Sequence, residues 1–324
     1  MFDQRFIVDA VNRSAENSVD RRRFFTAAGI GGLGAGAALL ASGAPASAAD
    51  LAHDDDHEHD SHGPSDSAIL NFALNLEYLE AEFYLRAVTG HGLPDNMTTG
   101  TGWRGPVVGG RAVKFQTPLI RKYAQEIAAD EKSHVAFLRS ALGKAAVSRP
   151  RISLDASFTA AARAAGLVGK HEMFDVYANE VNFLFGAFIF EDVGVTAYKG
   201  AAPLISNKTY LEAAAGLLAV EAYHAGIIRT TLYALGVAAP SVYPTAQKIS
   251  DARDSLDGRT DLDQGIGTSA MANLVPTDAN GLAFSRSAGQ VLNIVYLNEE
   301  RVHSGGFFPH GVNGPINTST DSDD

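Results

Sequence analysis

Two segments of the chain place a glutamate three residues before a histidine: Glu131-Lys132-Ser133-His134 and Glu221-Ala222-Tyr223-His224. On a helix, positions i and i+3 lie on one face. The carboxylate and imidazole of each pair can therefore grip one metal ion or bridge two. A single such pair occurs often by chance; two, each inside a long helical pattern, point to a shared centre. A centre of this kind takes one more glutamate from each of two other helices. The first helical segment offers Glu77, Glu80 and Glu82, and the third offers Glu180 and Glu191. A repeat chooses among them. Leu76-Glu77 leads to Tyr84 seven residues after the glutamate, and Phe190-Glu191 leads to Tyr198 at the same offset. Glu77 and Glu191 are the predicted partners, with Glu80 as the substitute on the first helix.

The apolar stripes support this choice. Ile127, Val135 and Leu138 flank Glu131, and Leu184, Ala187, Phe188 and Val195 flank Glu191. Leu217, Leu218, Ile227 and Ile228 flank Glu221, and Leu70, Ala73, Leu74 and Tyr84 flank Glu77. Each carboxylate thus sits on the face that a helix buries. A buried, unpaired carboxylate is costly enough to protonate or acquire a partner. Four of them in one core ask for cations, and two divalent ions balance four carboxylates. The implied cofactor is two Fe or Mn ions, since oxygen and imidazole ligands suit both. One core glutamate satisfied by an arginine is common; six positions on core faces in the order Glu, Glu-x-x-His, Glu, Glu-x-x-His are not. Tyr84 and Tyr198 are either hydrogen-bond donors behind the ligands or core packing.

Four long helices must carry these residues. They are predicted over about 66–88, 117–142, 173–198 and 207–235, the last stopped by Gly236 and Pro240. A Gly-rich stretch joins the first two. A connection of roughly thirty residues, with a short helix near 156–165, joins the second and third, a long crossover of the kind seen in one class of four-helix bundle. Residues 241–290 are rich in Asp, Gly and Ser and are predicted as loop. Gln290 to Tyr296 is a further short helix. The expected organisation is all-α: a bundle over 66–240 and a loop-rich C-terminal extension over 241–324.

The N-terminus carries an address. Arg21-Arg22-Arg23-Phe24-Phe25 precedes a small-residue apolar run, and Ala46-Ser47-Ala48 supplies a cleavage site. Residues 1–48 are thus expected to be a twin-arginine export signal, giving a periplasmic or extracellular product. Residues 49–65, rich in His and Asp, are expected to be a disordered linker. The chain has 324 residues, no cysteine and a net charge of −11. Absence of cysteine excludes disulfides, thiolate metal sites and cysteine nucleophiles. The acidic balance argues against nucleic acid as a partner. No run of 18 uninterrupted apolar residues follows residue 50, so no membrane span is expected after signal removal.

Two longer motifs carry a family likeness. The stretch Ile69-Leu70-Asn71-Phe72-Ala73-Leu74-Asn75-Leu76-Glu77-Tyr78-Leu79-Glu80-Ala81-Glu82-Phe83-Tyr84 resembles the opening helix of ferritin-like proteins of the desiccation-related type. Val291 to Tyr296 and Gly305-Gly306-Phe307-Phe308-Pro309-His310-Gly311-Val312-Asn313-Gly314 resemble the C-terminal signature of that family. The resemblance spans about 66–316 and implies a ferritin-like four-helix bundle with a dinuclear iron or manganese centre. The site order is more distantly similar to bacterioferritin, rubrerythrin and manganese catalase. By position it implies Glu131 and Glu221 as bridges, Glu77 and Glu191 as terminal ligands, and one metal each for His134 and His224. Absence of cysteine excludes a rubredoxin-type iron centre, and the long insertion between Glu77 and Glu131 argues against a storage shell.

Two function classes follow. One is an enzyme acting on peroxide or dioxygen in oxidative or desiccation stress, catalase- or peroxidase-like. The other is a non-catalytic metal-binding or stress-protective envelope protein. Metal ions and a small oxidant are the expected partners, and a homo-oligomer is compatible with either reading.

Overall fold

A computed structural model describes residues 63–322. The twin-arginine segment and all but the last three residues of the 49–65 linker lie outside the described residues. The first helix, α1, spans Asp66–Thr89. The Ser65 hydroxyl accepts from the Ala68 N–H at its start, and Gly90 ends it with φ 79°, a conformation that glycine adopts without strain. The second, α2, spans Pro118–Leu142. The residues leading into it are held from outside: the Glu180 carboxylate accepts from the N–H groups of Gln116 and Thr117 and from the Thr117 hydroxyl. The crossover holds α3, Asp155–Ala164. The strands β1, Val107–Val108, and β2, Ile152–Ser153, pair in parallel and tie the two long connections together.

The helix α4 spans Glu180–Ala201 and starts later than the expected 173. Asn179 caps it by accepting from the N–H groups of Val181 and Asn182. Just upstream, Arg111 holds Asp175, whose carboxylate also accepts from the Tyr177 N–H. Residues 173–179 thus lie outside the helix. The fourth bundle helix, α5, spans Lys208–Ala238 and runs through Gly236. A Cβ at Gly236 would meet the Tyr243 ring at 2.6 Å, so glycine serves close packing here and not termination.

The helix α1 packs chiefly on α2, and α4 on α5; the pairs meet along α1–α4 and α2–α5. This is the all-α, ferritin-like arrangement expected. Both α1 and α4 are buried on nearly every side, whereas α2 and α5 keep a wet face. By length and composition α4 and α5 could each cross a membrane; the apolar window is 83% buried in α4 and 33% buried in α5.

The C-terminal extension holds more structure than expected. Residues Val242–Asp257 form a helix, α6, where loop was predicted. Its buried face is Val242, Tyr243, Ala246, Ile249, Ser250, Arg253 and Asp257. The period is helical, but its second half is polar and so weakens any hydrophobic signal. The short helix α7 spans Ala288–Tyr296 behind a Ser287/Gln290 capping box. Both α6 and α7 pack on α4. The Gly305–Gly314 turn closes back on α1: Asn75 donates to the Asn313 carbonyl at 2.8 Å and accepts from the Asn313 N–H at 3.0 Å.

A buried ion network fastens this extension. Arg229 and Arg253 both pair with Asp192 Oδ2, at 2.7 and 2.9 Å. Arg253 also pairs with Asp263 at 2.5 Å, and Arg286 pairs with Asp257 and Asp263. Arg253 further donates to the Phe188 carbonyl and lies over the Phe188 ring.

Candidate metal centre

Each bundle helix contributes one glutamate to the centre of the bundle. Glu77 comes from α1, Glu131 from α2, Glu191 from α4 and Glu221 from α5; all four are at most 1% exposed. One helical turn beyond Glu131 and Glu221, His134 and His224 point inward by Nδ1. His134 Nδ1 lies 3.2 Å from Glu77 Oε2, 3.5 Å from Glu131 Oε2 and 3.6 Å from Glu221 Oε1. His224 Nδ1 lies 3.0 Å from Glu131 Oε1 and 3.5 Å from Glu191 Oε2. The donor atoms fall into two groups: Glu77, Glu131, His134 and Glu221 in one, and Glu131, Glu191 and His224 in the other. Glu131 belongs to both, one oxygen to each imidazole. Glu221 joins the first group alone, so the two glutamates that the resemblance assigns as bridges occupy different positions.

The tyrosines cross between the halves. Tyr84 on α1 donates to Glu191 Oε1 on α4, and Tyr198 on α4 donates to Glu77 Oε1 on α1. Each phenol leaves the other oxygen of its carboxylate facing an imidazole. The remaining carboxylates of the candidate set are explained separately. Glu180 holds the residues leading into α2 as described. Glu82 is held by Arg149 and Arg86 and accepts from the Leu93 N–H. A Cβ on Gly92 would overlap the Glu82 carboxylate, so the turn must approach it without a side chain. Glu80 is buried in the same core as the four central glutamates.

Burial dominates the electrostatics. It pushes Glu77 up to about 7, against the opposing pull of His134. It raises Glu191, Glu80 and Glu221 as well, the last two strongly. Glu131 goes the other way: burial would raise it, but the two imidazoles beside it bring it down to about 2. Burial would lower His134, yet Glu77 and Glu131 carry it up to about 11. His224 is raised by Glu191 and Asp130 despite its burial. Among the described residues, the basic side chains beside the four central glutamates are these two imidazoles.

The ferritin-like domain model matches residues 65–234, which contain all of these groups. The chain belongs to the ferritin-like domain family. It is 32% identical over 272 residues to the desiccation-related protein PCC13-62 of Craterostigma plantagineum, covering 80% of this chain and 86% of the relative. It is 29% identical over 267 residues to the ferritin-like catalase Nec2 of Nesocodon mauritianus, covering 78% and 85%. No solved structure gives a significant match.

The ferritin-like core has the chemistry of a metal cradle. Both oxygens of Glu131 and of Glu221, Glu191 Oε2 and His224 Nδ1 are buried without a hydrogen-bond partner among the described residues. Buried polar atoms are rarely left so, and these are lone-pair donors aimed at one another. A side chain on Gly194 would overlap Glu221 Oε2. The residues therefore fit divalent cations. One supporting group was missed in the sequence. Asp130, 44% exposed at its side chain, accepts at 3.2 Å from His224 Nε2, fixing the ring so that Nδ1 faces inward. Its signal was its place immediately before Glu131, which puts it at the rim of the same helix face.

Proposed function

We propose that this ferritin-like chain is an exported redox protein whose two-cation centre acts on hydrogen peroxide or dioxygen under oxidative or desiccation stress. The observation that carries the reading is the set of orphaned carboxylate oxygens converging on two inward-facing imidazoles. Two Mn or Fe ions held there would supply the change of oxidation state. Glu131 would serve both, His134 and Glu77 one side, and His224 and Glu191 the other. Tyr84 and Tyr198 fix the free rotation of Glu191 and Glu77, and Asp130 sets the tautomer of His224. Phe83 and Phe183 pack beside Tyr84, Phe190 packs on Phe83, and together they wall that side off from water. A relative named a catalase supports peroxide as substrate. Dismutation also needs no outside reductant, which suits a protein sent out by the arginine-rich leader.

The second reading is protection through metal binding without turnover. It is favoured by the likeness to a protein named for desiccation. Metal analysis of the protein exported by its own host, followed by oxygen release on adding peroxide, separates the two. The first reading expects about two Mn or Fe per chain and oxygen evolution, both lost in Glu131→Ala. A loaded site without oxygen evolution supports the second reading, and near-zero metal removes both.

A further inference from the structure

The repeat that matches Glu77 with Glu191 and Tyr84 with Tyr198 also matches Glu80 with Gly194. Where α1 carries a carboxylate, α4 carries no side chain. The two positions meet in space. A Cβ built on Gly194 would lie 3.5 Å from Glu80 Oε1 and would overlap Glu221 Oε2. Glu80 therefore reaches into room that its own counterpart leaves empty, and it finds Glu221 there. Glu221 directs Oε1 toward His134 and Oε2 toward this gap, and neither oxygen has a hydrogen-bond partner among the described residues. Behind Glu80 the wall is apolar: Leu76, Leu79, Ile189, Phe190, Val193 and Phe307. Besides its burial, the like charges of Glu131, Glu191 and Glu77 act on Glu80, and His224 opposes them. Two buried carboxylates facing one gap, with no arginine or lysine paired with either among the described residues, need something positive to share.

A second break of the repeat falls on the other side. Asp130 supports His224, but the residue matching Asp130 on α5 is Val220, which cannot support His134. The halves thus differ in kind: one gains a carboxylate, the other a better-oriented imidazole.

We infer that Glu80 is a fifth carboxylate ligand of the centre, shared with Glu221, and that it makes the two cation positions chemically unequal. This rests on the two-cation reading above. The test strips the purified chain with a chelator and titrates it with Mn(II), following stoichiometry and affinity by calorimetry and the Mn(II) signal by electron paramagnetic resonance. The wild type takes up two Mn(II) in two resolved steps. In Glu80→Gln one step is weakened at least tenfold while the other keeps its affinity. Thermal melting of the stripped variant, which checks that it folds, gives a second readout: loss of one uncompensated acid makes it melt higher than the stripped wild type, and Mn(II) narrows that lead. If Glu80→Gln binds both ions with wild-type affinities, Glu80 only shares a proton with Glu221 and the inference falls, while the two-cation reading stands. If the wild type binds no Mn(II), both fall together.

Discussion

Glu191 and Asp192 are neighbours in the chain and belong to two different buried charge clusters. Glu191 faces the bundle centre, among carboxylates and two imidazoles. Asp192 faces the C-terminal extension, among Arg229 and Arg253. The second cluster closes on itself: Asp192, Asp257 and Asp263 against Arg229, Arg253 and Arg286. Its charges cancel, and it serves to fasten α6 and the following loops to α4. Among the described residues, the first has five glutamates and no arginine or lysine paired with them. Both clusters are buried, so burial alone does not mark a functional site. What marks it is an unbalanced sign.

Cutting the balanced cluster should cost most. Arg253→Met leaves Asp192 and Asp263 short of a partner and should lower stability by about 3–5 kcal/mol, the usual cost of breaking a buried ion pair. Denaturant unfolding should show the same loss with and without Mn(II). A loss that Mn(II) largely reverses would mean the two clusters are one system.

The unbalanced cluster should answer to pH. Glu77 is held up to about 7 chiefly by burial, against an ordinary value of 4.5. The stability it lends is full below about pH 4.5 and is lost as the pH rises through 7. Glu131, brought down to about 2, lends stability above 4.5 that is lost as the pH falls through 2. Between pH 5 and 8 only the first of these changes. The melting temperature of metal-stripped protein should therefore fall across that range. The gain on adding Mn(II) should grow over the same range, because cations bind the ionised carboxylates. A stripped protein whose stability is flat from pH 5 to 8 would show that these carboxylates are already compensated.

The smallest effect is expected behind the ligands. Tyr198→Phe removes one hydrogen bond to Glu77 and should cost about 1 kcal/mol of stability, with Mn(II) affinity falling roughly 10- to 100-fold. Tyr84→Phe, acting on Glu191, should match it. Unequal losses measured by titration would sharpen the difference between the two halves.

The legibility of the chain follows the same division. Both Glu-x-x-His pairs were visible because their members are three residues apart on one helix face. Glu77 and Glu191 were visible because a repeat matched them, and all six groups converge in the bundle centre. The arginine–aspartate network was not visible. Arg253 meets Asp192 across 61 residues of chain, and nothing local announces the pair. The helix α6 was lost with it, because its inward face ends in Arg253 and Asp257 and only tertiary contact makes those residues interior. The start of α4 was misplaced for a related reason: Asp175 is held out of the helix by Arg111, which is remote in sequence. Glu80 was weighed as a replacement for Glu77, whereas the fold buries both.

The crossed tyrosines carry a consequence for assembly. Each phenol reads the carboxylate of the opposite half, so neither the α1–α2 pair nor the α4–α5 pair holds a finished half-site of its own. The arrangement acts as a proofreading contact between two copies of one design. If either hairpin docks out of register, both phenols lose their carboxylates at once, and Glu77 and Glu191 are free to swing away from the imidazoles. On the two-cation reading, competence to hold cations would arrive only with correct docking of the two halves, and metal uptake would report that the chain has folded.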